Sequence, residues 1–200
     1  MKNHMSIKRA SAIGMAGSAM NVGLEYASVR HFGGRAPLAD MPHQAADVFA
    51  YGAVYVSRFT DKARHKLERT SSWLVSLGSF MVASVVAVET AQKFSEHGAG
   101  LGEQMRWAEP AVLVGVLSIN GAIHVAQDRA HSHNSADYGA HVNHVHAQSE
   151  WYATAALVAG TAMAVAADTP LLERAVAVAA AVWVGYSNTP KNLQAYEHSV

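Results

Sequence analysis

Apolar residues gather into six stretches along the chain, each interrupted by only a few polar positions. They run from about Ser11 to Val29, Pro37 to Phe59, Ser71 to Phe94, Pro110 to Asp128, His141 to Ala167 and Pro170 to Asn188. Each is near the ~20 residues that a helix needs to cross a bilayer. Leu74 to Val88 is the most convincing apolar run. Turn and charge signals separate the six: Gly33-Gly34, Thr60 to Arg69, Glu96 to Glu109, Arg129 to Gly139, and Asp168-Thr169-Pro170. Pro37, Pro110 and Pro170 fit first turns, where a missing N–H costs nothing. The pattern predicts an all-α fold, a polytopic membrane protein of six transmembrane helices. The apolar positions are mostly Ala and Val, and no run of ~20 is unbroken. Such helices insert poorly alone, but small residues let them pack closely in a bundle. A soluble Ala-rich helical bundle is the alternative.

Lys and Arg set the expected orientation. With the N-terminus in the cytoplasm, the inner segments hold Lys2, Lys8, Arg9, Arg58, Lys62, Arg64, Lys66, Arg69, Arg129 and Lys191, and the outer ones hold Arg30, Arg35, Lys93, Arg106 and Arg174. The resulting organisation is a cytoplasmic N-terminus (1–10), a six-helix membrane domain (11–190) and a short cytoplasmic tail (191–200), multi-pass in the cell (inner or plasma) membrane. The first residues lack a clean signal-peptide cleavage pattern.

Composition narrows the chemistry. Half of the 200 residues are hydrophobic and 15% are charged, against about 25% charged in a typical soluble domain. Lys+Arg and Asp+Glu both total 15, so bulk charge offers nothing to nucleic acid. Without cysteine there are no disulfides and no thiolate metal sites. No phosphate-binding loop, nucleophile elbow or HExxH motif is present, so no enzyme is expected. Histidine is abundant, at 12, and five of these lie between His131 and His146.

Two pairs stand out. His43 and Asp47 are four apart in the second stretch, and His146 and Glu150 are four apart in the fifth. That spacing puts both members of a pair on one helix face. Counted along the helices, His43 lies roughly 9 Å and Asp47 roughly 15 Å from the outer side, and Glu150 roughly 14 Å from the inner. Ionisable groups at such depth mark ion pathways. Two imidazoles and two carboxylates suit a tetrahedral divalent metal such as zinc. The plainer reading is that the carboxylates pair with buried cations or hydroxyls.

Other polar positions are weaker candidates. His124 and Asp128 repeat the spacing at the end of the fourth stretch, as a second site or as a solvated helix end. His131, His133, His141 and His144 form a His-rich tract suited to capturing metal, to which Asp137 could add a carboxylate. Asn21 is expected to hydrogen-bond a neighbouring helix. Glu25 is a candidate for the proton path, and Asp40 for orienting His43. Glu89 is expected at the outer interface. Trp73, Trp107, Trp151 and Trp183 read as interface or packing residues. Gly14, Gly17, Gly115 and Gly160 read as close helix contacts.

The segment Leu38-Ala39-Asp40-Met41-Pro42-His43-Gln44-Ala45-Ala46-Asp47 resembles the second membrane helix of cation diffusion facilitators, which commonly read LAD, two residues, His or Asp, three residues, Asp. NHVHAQSEWYAT, Asn143 to Thr154, resembles their fifth helix. His65 before the third helix, Glu109-Pro110 opening the fourth, and a loop with His131 and His133 fit the same order. The resemblance extends from about Ser11 to Leu193. It implies a six-helix domain exporting Zn²⁺ or a related ion in exchange for protons, usually as a homodimer, with His43, Asp47, His146 and Glu150 as the transport site. Glu150 stands where Asp is usual, Met41-Pro42 replaces a small or flexible pair, and the family's cytoplasmic metal-sensing domain is not expected here.

Three functions follow for comparison. The first is proton-coupled export of a divalent ion, with Zn²⁺ ahead of Co²⁺, Cd²⁺, Fe²⁺, Ni²⁺ and Mn²⁺, and with no prosthetic group. The second is a haem-binding electron carrier using His43, His124 or His146 as axial ligands. The third is a metal-binding helical protein that transports nothing.

Overall fold

The structure, a computed structural model, describes residues 5–32, 36–95, 108–167 and 170–189. These form six helices and no strand: α1 (Ile7–Phe32), α2 (Ala36–Ser57), α3 (Arg64–Ser95), α4 (Ala108–His133), α5 (Tyr138–Ala167) and α6 (Pro170–Ser187). The all-α expectation holds, and Pro37, Pro110 and Pro170 all fall in first turns. Several helices outrun the apolar stretches that predicted them. α3 starts within the charged segment expected as a loop, so His65 belongs to its first turn. α4 continues to His133 and α5 begins at Tyr138, which leaves only 134–137 between them. The polar ends of these helices carry no breaker, so hydrogen bonding continues past the point where hydrophobicity fades.

The helices close into a ring. α1 packs on α2, α2 on α3, α3 on α6, α6 on α5, α5 on α4, and α4 back on α1, with slight further contact between α3 and α5. In this order α2 and α5 are opposite one another. Neither is a principal packing partner of the other, and they meet through side chains across the centre.

Polarity is distributed inside out. α1 buries Ser11, Ser18, Asn21, Glu25 and Ser28, at spacings of three, four and seven, while Met20, Leu24 and Tyr26 on the same helix face outward. Phe49 and Phe80 are 68% exposed and Trp73 is 62% exposed. Buried apolar positions are dominated by Ala and Val, for example Ala10, Ala126, Ala130 and Ala140 with Ile7 and Val54 in one layer. Small residues also bring helices close. A Cβ on Gly14 would lie 2.7 Å from the Tyr51 ring, one on Gly17 2.6 Å from Ile123, and one on Gly160 2.6 Å from Val176. Gly115 differs from expectation, since its nearest neighbour, Leu24, would be at an ordinary 3.7 Å. Among the described residues, one helical segment, Ala111–His133, is on average apolar and long enough to cross a membrane. Trp183 is exposed; Trp107 and the Glu89 side chain lie outside the described residues.

One end of the ring is tied by charge. Arg58, just past α2, donates to both Asp137 oxygens, at 2.7 and 2.8 Å. It also pairs with Glu68 of α3 at 2.8 Å. Arg64 pairs with Glu68 at 3.1 Å and with Asp137. Asp137 caps α5 by accepting from the Ala140 N–H at 2.9 Å. It is therefore engaged with arginines and not with the histidines, contrary to the sequence expectation. Burial alone would raise its carboxyl. The hydrogen bonds from Arg58 and Ala140 and the charges of Arg58 and Arg64 outweigh that and hold it below the usual range.

Asp137→Asn keeps a capping side chain but leaves two arginines sharing one carboxylate. It should lower stability at neutral pH by about 2 kcal/mol, between the ~0–1 of an exposed pair and the ~3–5 of a buried one. The wild-type contribution is present above the ordinary Asp value of about 4 and is lost as pH falls through the depressed one. Melting curves of the two proteins should therefore converge in strong acid. A constant gap down to the lowest pH would show that the charge of Asp137 is not what stabilises this end.

Candidate metal centre

His43 and Asp47 project from α2, and His146 and Glu150 from α5, each pair one helical turn apart. The four side chains fill the centre of the ring, at 1%, 2%, 1% and 9% exposure. Pairing is crosswise between the helices. His43 Nε2 meets Glu150 Oε1, and His146 Nε2 lies 2.9 Å from Asp47 Oδ1. Asp47 Oδ2 is 3.7 Å from His43 Nε2. One donor atom from each residue lies within 4.8 Å of the other three. Among the described residues, this is the one group of three or more His, Asp or Glu gathered closely enough to hold a single ion.

Two features suit these atoms to a cation. The His43 and His146 rings stand at 74° with centroids 5.7 Å apart, so their in-plane lone pairs approach a common point from different directions. His146 Nε2 and Asp47 Oδ1 are close but not aligned as a hydrogen bond, and His146 Nδ1 is also buried without one. Buried polar atoms left in this way are costly, and a divalent ion among the four would satisfy His146 Nε2 and Asp47 Oδ1. Two carboxylates would also balance its charge.

Neighbouring helices hold the rings in place. Gly78 of α3 backs His43, and a Cβ there would come 3.1 Å from its Nδ1. Tyr51, seated on Gly14, tilts against His146 with centroids 5.9 Å apart. A cavity of about 10 Å³, bordered by Ser18, Asp47, Tyr51, Asn120 and Glu150, adjoins the ligands. That is room for about one water.

The remaining candidates fall elsewhere. His131 and His133 end α4, and His141 and His144 begin α5, so the His-rich tract is helical and not a loop. His131 stacks on His144 at 4.8 Å and 16°. His124 stacks on the Trp151 ring at 5.5 Å. Lone pairs in the planes of near-parallel rings do not converge; His131 and His141 tilt at 56°, but among the described residues the tract brings no three ligand atoms together. His133 turns to the Arg129 carbonyl. Asp128 is 60% exposed and lies 3.8 Å from His144, so its closest imidazole is on α5 and not the expected His124. Glu25 is buried on α1. The Asp40 side chain lies outside the described residues.

Asn21 does hydrogen-bond neighbouring helices, donating to Asn120 at 2.8 Å and to Gln44 at 3.4 Å. Gln44, Tyr51, Asn120 and Thr154, all around the centre, were not singled out from the sequence. A lone amide in an apolar helix, such as Asn120, was the available signal.

No family model matches the chain, and no curated protein matches it. The likeness to cation diffusion facilitators therefore rests on the motifs alone.

Replacing Asp47 with Ala removes a ligand and half of the compensating negative charge. Zn²⁺ affinity of the purified protein, by equilibrium dialysis, should fall at least ~100-fold, since partners that merely orient a ligand already cost 10–100-fold. Unchanged binding would place the ion elsewhere.

Proposed function

We propose that the chain is a divalent-cation carrier of the cell membrane, exporting Zn²⁺ in exchange for protons through His43, Asp47, His146 and Glu150. The observation that carries this reading is the gathering of those four ligands, two from each of two opposite helices, at the centre of a ring with an apolar exterior. Nitrogen and oxygen donors without sulfur favour Zn²⁺ over Cu(I), and the imidazoles disfavour Mg²⁺ and Ca²⁺. Protons and metal compete for the same atoms, because imidazole must be neutral and carboxylate ionised to bind an ion. Release on one side is driven by protonation there. Orientation follows the Lys and Arg bias, with both termini in the cytoplasm. A homodimer is part of the same proposal, by likeness to cation diffusion facilitators.

A non-transporting metal-binding protein is the second reading, since the four gathered ligands call for an ion and not for its movement. A haem carrier is disfavoured by space. The cavity beside Asp47 and Glu150 has room for about one water, and a macrocycle would have to force the ring of helices apart.

Purified protein in sealed vesicles, with an acid interior and external Zn²⁺, should accumulate the ion and lose protons, and the Asp47→Ala variant should do neither. Zn²⁺ binding in detergent without uptake by the wild type would leave the second reading standing.

A further inference from the structure

Glu150 is surrounded by more than its fellow ligands. Asn120 Nδ2 donates to Thr154 Oγ1 at 3.0 Å, and Thr154 Oγ1 donates to the Glu150 carbonyl at 2.8 Å. Asn120 Oδ1 accepts from Asn21 Nδ2 at 2.8 Å. The same Asn21 amide lies 3.4 Å from Gln44 Oε1. With that oxygen facing Asn21, the Gln44 amide nitrogen is the group that hydrogen-bonds the Glu150 carboxylate. Each amide thus has its orientation fixed by the next, and the chain runs through α1, α2, α4 and α5. All four side chains are at most 7% exposed.

Burying four polar side chains offers little stability over apolar packing of similar volume. Their placement points to precision at one group. Glu150 has one more methylene than Asp, and hence one more torsion through which its carboxylate can swing. The extra reach lets α5 meet α2 across the ring, and it needs a restraint. The network supplies one at both ends of the residue, at the backbone carbonyl through Thr154 and at the carboxylate through Gln44.

We infer that Asn21, Gln44, Asn120 and Thr154 are positioning residues that fix the distance at which Glu150 meets the ion, and so set the site's preference among divalent cations by size. A carboxylate held at close range suits Zn²⁺ and penalises the larger Cd²⁺. A freed one accommodates both. This inference rests on the proposal that the four central residues bind an ion.

The test is titration of the detergent-purified wild type, Asn120→Ala and Thr154→Val with Zn²⁺ and, separately, with Cd²⁺. Both variants should lose about tenfold in Zn²⁺ affinity while Cd²⁺ affinity changes by about twofold or less, narrowing the preference by about fivefold or more. Thr154→Val keeps the side-chain volume, so it carries the test if Asn120→Ala does not fold. In a Glu150→Asp background, where the shorter arm falls short of Gln44, adding Asn120→Ala should change the preference no further. A wild-type preference in both single variants would overturn the inference and leave metal binding intact. So would an equal shift in the Glu150→Asp background. A wild type that binds neither ion would overturn the underlying reading, and this one with it.

Discussion

Two carboxylates and two imidazoles in the middle of a helix ring pose a charge problem before they offer a binding site. Asp47 and Glu150, both ionised and both dry, would repel one another and lack solvation. Their partners come from across the ring, with His43 against Glu150 and His146 against Asp47. If both imidazoles carry a proton the cluster is neutral. If both are bare, one divalent cation makes it neutral again. The same four side chains thus balance two protons or one M²⁺, and the deep interior tolerates either but not the empty, fully ionised set. On the proposed function, exchange of one for the other draws on this balance of charge.

The crosswise pairing also explains how the ring holds together. α2 and α5 are opposite, and the ligand cluster is one brace between them, beside the layers that set Ala50 with Val142 and Tyr51 with Ala147. Glycine opposite a bulky ring recurs around it, at Gly14 under Tyr51 and Gly78 behind His43. The two sides of the cluster differ. Toward the start of α1 lie an Ala-rich layer and the Arg58, Arg64, Glu68 and Asp137 network. Toward its other end lie Asn21, Gln44, Asn120 and the buried Glu25. The network joins α2, α3 and α5, two of which carry the ligands. Any movement that opens this end must part several ion pairs together, which makes it a discrete step.

Local rules made much of this legible. The i, i+4 spacing put His43 with Asp47 and His146 with Glu150 on single faces, and their similar depths suggested a meeting. The first-turn prolines located α2, α4 and α6. Ring order was not legible, because packing of α1 on α4 and of α3 on α6 has no signature in either segment. For the same reason neither segment shows that α2 and α5 stand opposite one another. The partner of Asp137 was misread because proximity in sequence to the histidines says nothing about Arg58, 79 residues away. Charged helix ends at Arg64 and Arg129 looked like loops because hydrophobicity, not hydrogen bonding, marked the boundaries.

The polar groups that build the centre also lower the mean hydropathy of the helices that supply them. A sliding average weighs every side chain equally, whichever way it faces. In α1 it counts Ser11, Ser18, Asn21, Glu25 and Ser28 against the helix, yet all five are turned into the ring. What surrounds the molecule meets Met20, Leu24 and Tyr26 instead. A bundle that builds a hydrophilic site at its centre must draw those polar groups from its own helices, and each donation lowers the donor's average. The average of α1 therefore understates the apolarity of its outer face. In α4, where Asn120 is the lone buried amide before the helix turns polar at Gln127, the average stays high enough to register.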